Sequence, residues 1–119
     1  MSDFKTLNVW QKSHALSLNV ERICRRIRLP MHISLRNQLF RASMSVSANI
    51  AEGCGQRTRK EFARFVGFAL GSCSELEHHL IVAKDLKVVP QPEFDSLVSE
   101  TITVRKMLHG LRRSLAEKA

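Results

Sequence analysis

Between Phe62 and Ala83 the apolar and small residues fall at Phe62, Val66, Ala69, Cys73, Leu76, Leu80 and Ala83, in alternating steps of four and three. Such steps keep one stripe on one side of a cylinder with 3.6 residues per turn, and they conflict with the two-residue repeat of a strand. The spacing predicts a long amphipathic helix ending near Leu86, to which the rest of the chain must supply partners. Its start is signalled twice. Gly53 and Gly55 can take the left-handed backbone that ends a preceding helix, and Thr58 with Glu61 has the spacing of a capping box. The turn is expected at Cys54 to Arg57.

The same spacing recurs three times. Val9, Ser13, Leu16, Val20, Ile23 and Ile27 predict a first helix, widened by Trp10 and Leu18 and closed before Pro30, which disfavours helical backbone at Leu29. Leu35, Leu39, Ala42, Val46 and then Asn49 or Ile50 predict a second, with Ser34 as N-cap and Gly53 as stop. Its later half is rich in Ala and Ser, which lets a neighbouring helix come close. The connector Val88-Val89-Pro90-Gln91-Pro92 leads into a fourth helix from Glu93, with Phe94, Leu97, Thr101, Val104, Leu108, Leu111 and Leu115 on its seam. Four long helices with short connectors predict an all-α fold, an antiparallel up-down-up-down four-helix bundle. At 119 residues one domain, 1–119, is expected.

Two features do not fit a simple bundle. Gly67 and Gly71 interrupt the third helix, and because glycine costs about 1 kcal/mol there relative to alanine, they predict tight backbone packing at that level. Trp10, Leu18, Phe40, Met44, Phe65 and Phe68 lie off the seams. Either the core is wide or the surplus forms a subunit interface.

No segment carries the roughly 18 uninterrupted apolar residues of a membrane span, so no membrane partner is expected. The N-terminus lacks an apolar leader core, and a cytoplasmic location is the expectation. Cys24, Cys54 and Cys73 form no Cys-x-x-Cys pair and read as reduced thiols, Cys73 filling a seam position and Cys54 lying in a Gly-rich turn that can leave it exposed.

Catalytic chemistry finds little support. There is no Gly-rich phosphate loop and no Ser-His-Asp set, so an enzyme is not expected, nor a cofactor. Glu75 with His78 gives one Glu-x-x-His fragment, but di-iron bundles need two, and no metal is expected. Asn49, Glu52, Glu75 and Glu77 are the conspicuous polar residues near the seams, and structural roles are expected for all four. Asn49 and Glu52 are expected to bond across to the turn or to a basic residue such as Arg41.

Charge is more informative. Nineteen Lys and Arg against eleven Asp and Glu give +8, which favours an anionic partner, nucleic acid first. The candidates form three groups: Arg22, Arg25, Arg26 and Arg28 at the end of the first helix; Arg57, Arg59, Lys60 and Arg64 at the start of the third; and Arg105, Lys106, Arg112 and Arg113 on the fourth. Without an aromatic platform on that surface, such groups favour duplex or shape recognition over base reading. A merely solvated basic surface is the alternative, with a protein-binding scaffold as the matching function.

Several segments, Val9-Trp10, Gln38-Leu39-Phe40-Arg41-Ala42, Asn49-Ile50-Ala51-Glu52-Gly53, Lys60-Glu61-Phe62 and Ala69-Leu70-Gly71-Ser72 with Glu75-Leu76-Glu77, carry a resemblance. Together they are similar to the bacterial 23S ribosomal RNA intervening-sequence protein family, over nearly the whole chain. The resemblance implies a homopentamer of four-helix bundles. It also implies relatives that serve diversity-generating retroelements as accessory proteins, and hence RNA, DNA or a reverse transcriptase as partners.

Overall fold

Four helices, α1 (Asn8–Cys24), α2 (Ile33–Cys54), α3 (Arg59–Asp85) and α4 (Gln91–Glu117), run up and down in an antiparallel bundle of 47 × 20 × 20 Å. This computed structural model describes residues 3–117, and the described residues include no strand. Met1 and Ser2, and Lys118 and Ala119 of the expected domain, lie outside that range. Each helix packs on its chain neighbours, and α1 closes the bundle against α4.

The seams become the core. Every α3 seam residue is at most 4% exposed, and Leu16, Val20, Leu39, Val46, Val104 and Leu108 pack with them at no more than 1%. Ile50 rather than Asn49 continues the α2 seam, since Ile50 is fully buried and Asn49 half-buried. Hydroxyls inside the core answer to their own helix: Thr101 donates to the Leu97 carbonyl at 2.7 Å, Ser43 to Phe40 at 2.8 Å and Ser13 to Trp10 at 2.9 Å. Buried polar groups satisfied in this way cost little.

The helix ends differ from the sequence expectation in instructive ways. α1 stops at Cys24, three residues early, because the backbone tightens: Arg26 N–H donates to Ile23 and Ile27 N–H to Cys24, each at 3.0 Å. This swings Ile27 into the core although it has left the helix. Pro30 then opens a 3-10 turn, Pro30–His32, and α2 follows directly. Ser34 is therefore inside the first turn, and the N-cap is His32, with no side-chain bond.

Gly53 does not stop α2, and neither it nor Gly55 is left-handed. Its glycine has a different cause. A Cβ at Gly53 would lie 2.7 Å from the Phe65 Cβ and 3.0 Å from the Phe62 Cδ1, so α2 and α3 can approach here only without one. The turn is Gly55 to Thr58, one residue later than expected, and Cys54 is buried in the helix before it rather than exposed. Thr58 caps α3 as expected, its Oγ1 accepting from the Glu61 N–H at 3.1 Å. The Glu61 carboxylate turns instead to Arg64, at 3.3 Å.

Left-handed backbone occurs at Lys87, φ 60°. Its N–H donates to Lys84 at 2.9 Å and that of Val88 to Ala83 at 2.8 Å, the bond pair that closes a helix through a left-handed residue. Gly67 and Gly71 also correct the expectation. No atom lies within 4 Å of a Cβ built on either, so neither is a packing site within the chain.

Candidate nucleic-acid interface

Antiparallel topology sorts the basic residues by end. The start of α3 and the end of α4 share one end of the rod, bringing Arg57, Arg59 and Lys60 to the same region as Arg112 and Arg113. Arg22, Arg25 and Arg26 end α1 at the opposite pole, roughly 40 Å away by helix length. The three groups thus do not merge into one face.

Internal partners divide them further. Arg105 donates to Glu77 at 2.8 Å across α4 and α3, with both side chains 31% exposed, which makes it a strut between helices. Arg25 is bound to Glu21 at 2.6 Å, and Arg22 donates to the Asn19 side-chain amide oxygen Oδ1, also at 2.6 Å, while the Asn19 amide nitrogen donates to Glu100. Arg26 stands 3.9 Å from Glu93, whose Oε2 is buried without a hydrogen bond. Arg112 reaches the His109 ring at 3.3 Å. Arg57, Arg59, Lys60, Lys106 and Arg113 form no salt bridge among the described residues.

The α3 start is less open to an anion through its backbone than the sequence suggests. Thr58 already takes the Glu61 N–H, and the Glu61 carboxylate sits in the first turn, offsetting the positive helix end. An anion at this end would therefore meet side chains rather than free backbone N–H groups. The expectation of no aromatic platform on this surface is corrected here: Phe65 and Phe68, just beyond, meet edge to face at 5.5 Å. The Arg64 guanidinium lies 5.1 Å from the Phe68 ring centre, and Phe68 is 45% exposed. The signal was the spacing Arg64-Phe65-Phe68, one helical turn.

The polar residues near the seams have local partners. Asn49 donates to the Ser45 carbonyl at 2.8 Å and to the Ser45 hydroxyl at 3.1 Å, and that hydroxyl meets Ser72 on α3 at 2.8 Å. This replaces the expected bond to the turn or to Arg41. Glu52 is exposed, and no hydrogen bond or salt bridge joins its carboxylate to Arg41 among the described residues. Glu75 stands 3.9 Å from His79 rather than bonding to His78. Burial lowers the His79 imidazole from its ordinary value, outweighing the carboxylate beside it.

No three His, Cys, Asp or Glu side chains converge as a metal site among the described residues. Burial pushes the Cys24 and Cys73 thiols up to about 11, far from the thiolate a nucleophile requires. Four of the surplus apolar residues, Trp10, Leu18, Phe40 and Met44, gather with Phe4 in a groove of about 550 Å³ between α1 and α2, whereas Phe65 and Phe68 stay on α3. Leu18 and Met44 are 47% and 45% exposed. No described helix is long and apolar enough to cross a membrane.

Comparison with known proteins agrees with this architecture. The crystal structure of a protein of unknown function from the S23 ribosomal protein family of Bacteroides thetaiotaomicron superposes with a TM-score of 0.80 at 18% identity. The match covers 87% of this chain and 97% of that one, and at this identity it speaks for the fold alone. No curated protein matches the sequence. The sequence profile of the 23S rRNA-intervening sequence proteins matches residues 5–110, spanning all of α1 to α3 and most of α4, and the chain belongs to that family.

Proposed function

We propose that the chain is a non-enzymatic, self-associating bundle that binds structured RNA or DNA through its basic surfaces. The observation that carries this is the end where α3 begins, at which Arg57, Arg59 and Lys60 stand without a carboxylate partner among the described residues. Cations left unpaired at one pole of a +8 chain form an electrostatic footprint for a polyanion. Arg113 of α4 adds to the same pole, while Arg105 is committed to Glu77. The family, named for insertions in ribosomal RNA, lends the reading weight.

The test is a gel-shift titration of RNA and DNA duplexes across salt concentrations. Each neutralised phosphate releases counterions, so the logarithmic salt slope should be about 0.7 to 0.9 per contact. The variant Arg57→Gln/Arg59→Gln/Lys60→Gln should lower both affinity and slope with helicity unchanged. Equal binding by wild type and variant, or no binding at low salt, would reject the proposal. A protein-binding scaffold is then favoured, supported by the open apolar groove between α1 and α2.

A further inference from the structure

The α1–α2 and α3–α4 connectors meet at the pole opposite the α3 start, where Arg26, Arg28, Leu29, His32, Leu86 and Lys87 border a shared hollow of about 310 Å³. Large apolar side chains stand out of this tip: Met31 is 78% exposed, Leu29 60% and Leu86 53%. They are held there by ordered backbone. Ile27 is buried just before the tip, the Arg36 guanidinium donates to the Ile27 carbonyl at 3.3 Å, and His32 N–H donates to Leu29 at 2.9 Å across Pro30.

Arg26, Arg28 and Lys87 border the same hollow as Leu29 and Leu86. Arg28 and Lys87 form no salt bridge among the described residues, and Arg26 comes only within 3.9 Å of Glu93. Lys87 holds its amine on left-handed backbone, φ 60°, a conformation that glycine adopts without strain.

Apolar points flanked by cations, of which Arg28 and Lys87 have no salt bridge among the described residues, complement a polyanion that has an apolar interior, such as a bilayer or a stack of bases. Leu29, Met31 and Leu86 together carry fewer carbons than one myristoyl chain, which by itself gives only marginal membrane binding. A gap between bases, by contrast, is filled by one or two side chains of the Leu, Met or Pro kind. We propose that this tip is a wedge for RNA, with Leu29 and Met31 entering an unstacked step while Arg26, Arg28 and Lys87 hold the flanking phosphates. The proposal rests on the nucleic-acid reading above and adds a substrate class to it: a duplex interrupted by a bulge, where the stack is already weakened.

The experiment uses the full chain and two RNA duplexes of equal charge, one fully paired with a one-nucleotide overhang and one with a single-base bulge flanked by 2-aminopurine. Wild type should bind the bulged duplex about tenfold more tightly, since the weakened step costs less to open, and raise the 2-aminopurine fluorescence as the entering side chains open it fully. The variant Leu29→Ser/Met31→Ser, altered only at exposed positions, should bind both duplexes alike with the wild-type salt slope, and Lys87→Gln should lower the slope for both. If wild type shows no bulge preference, or the Ser variant keeps it, the wedge is rejected while the charge-based reading stands. If neither RNA duplex binds at low salt, the wedge is rejected, and the DNA arm of the earlier titration shows whether the broader reading goes with it. Loss of phosphatidylserine-vesicle binding in the Ser variant, or a change in its mass by light scattering, would also overturn the proposal, making the tip a lipid or subunit contact.

Discussion

Gly53 and Gly71 are the same residue type on adjacent helices, yet they should respond oppositely to a methyl group. At Gly53 the added Cβ would press on the Phe65 Cβ, 2.7 Å away, where neither backbone can yield cheaply. Overpacking of about 1 to 3 kcal/mol should exceed the roughly 1 kcal/mol that alanine gains in a helix. Gly53→Ala should therefore lower stability. Gly71→Ala meets no atom within 4 Å and should raise it by up to about 1 kcal/mol. Urea unfolding of the two variants checks both signs, and a loss at Gly71 would mean that another copy packs there. Sequence alone could not separate these sites, because spacing shows which residues share a helix face but not what opposes each one. It also misassigned left-handed backbone to Gly53 and Gly55, when Lys87 adopts it.

At the scale of the helix, the α3–α4 contact contains one charged strut. Glu77 and Arg105 meet at 2.8 Å with about a third of each side chain exposed. Such a pair stands between a surface salt bridge, worth about 0 to 1 kcal/mol, and a buried one, whose breakage costs about 3 to 5 kcal/mol. Arg105→Gln should cost about 1 to 2 kcal/mol within that range and leave the salt dependence of nucleic-acid binding unchanged. A double-mutant cycle with Glu77→Gln, read by urea unfolding, measures the coupling, and a fall in salt slope would return Arg105 to the binding surface. The four helices were legible because a seam of four-three steps is a local signal. Their ends were less so, since α1 yields its last turn to bury Ile27 and Pro30 finds a place in a 3-10 turn. The basic groups were legible as sequence, but partners such as Glu93 for Arg26 and Glu77 for Arg105 lie on helices that only the fold brings near.

As a whole molecule the rod leaves apolar surface that its own core does not use. The α1–α2 groove holds half-exposed Leu18 and Met44, and α3 presents Phe68, 45% exposed. Light scattering at micromolar concentration should give a multiple of the 13.5 kDa chain mass, with Leu18→Glu/Met44→Glu reducing it. A monomeric wild type would remove self-association from the proposal. The close approach of Gly53 to Phe62 and Phe65 also bears on how the chain reaches its fold. The helices it joins, α2 and α3, share the most extensive contact in the bundle across a four-residue turn, so little loop entropy opposes their pairing. A growing chain can therefore form the α2–α3 hairpin while α4 is still inside the ribosome, and it must keep the open side of α3 from aggregating until α4 emerges to cover it.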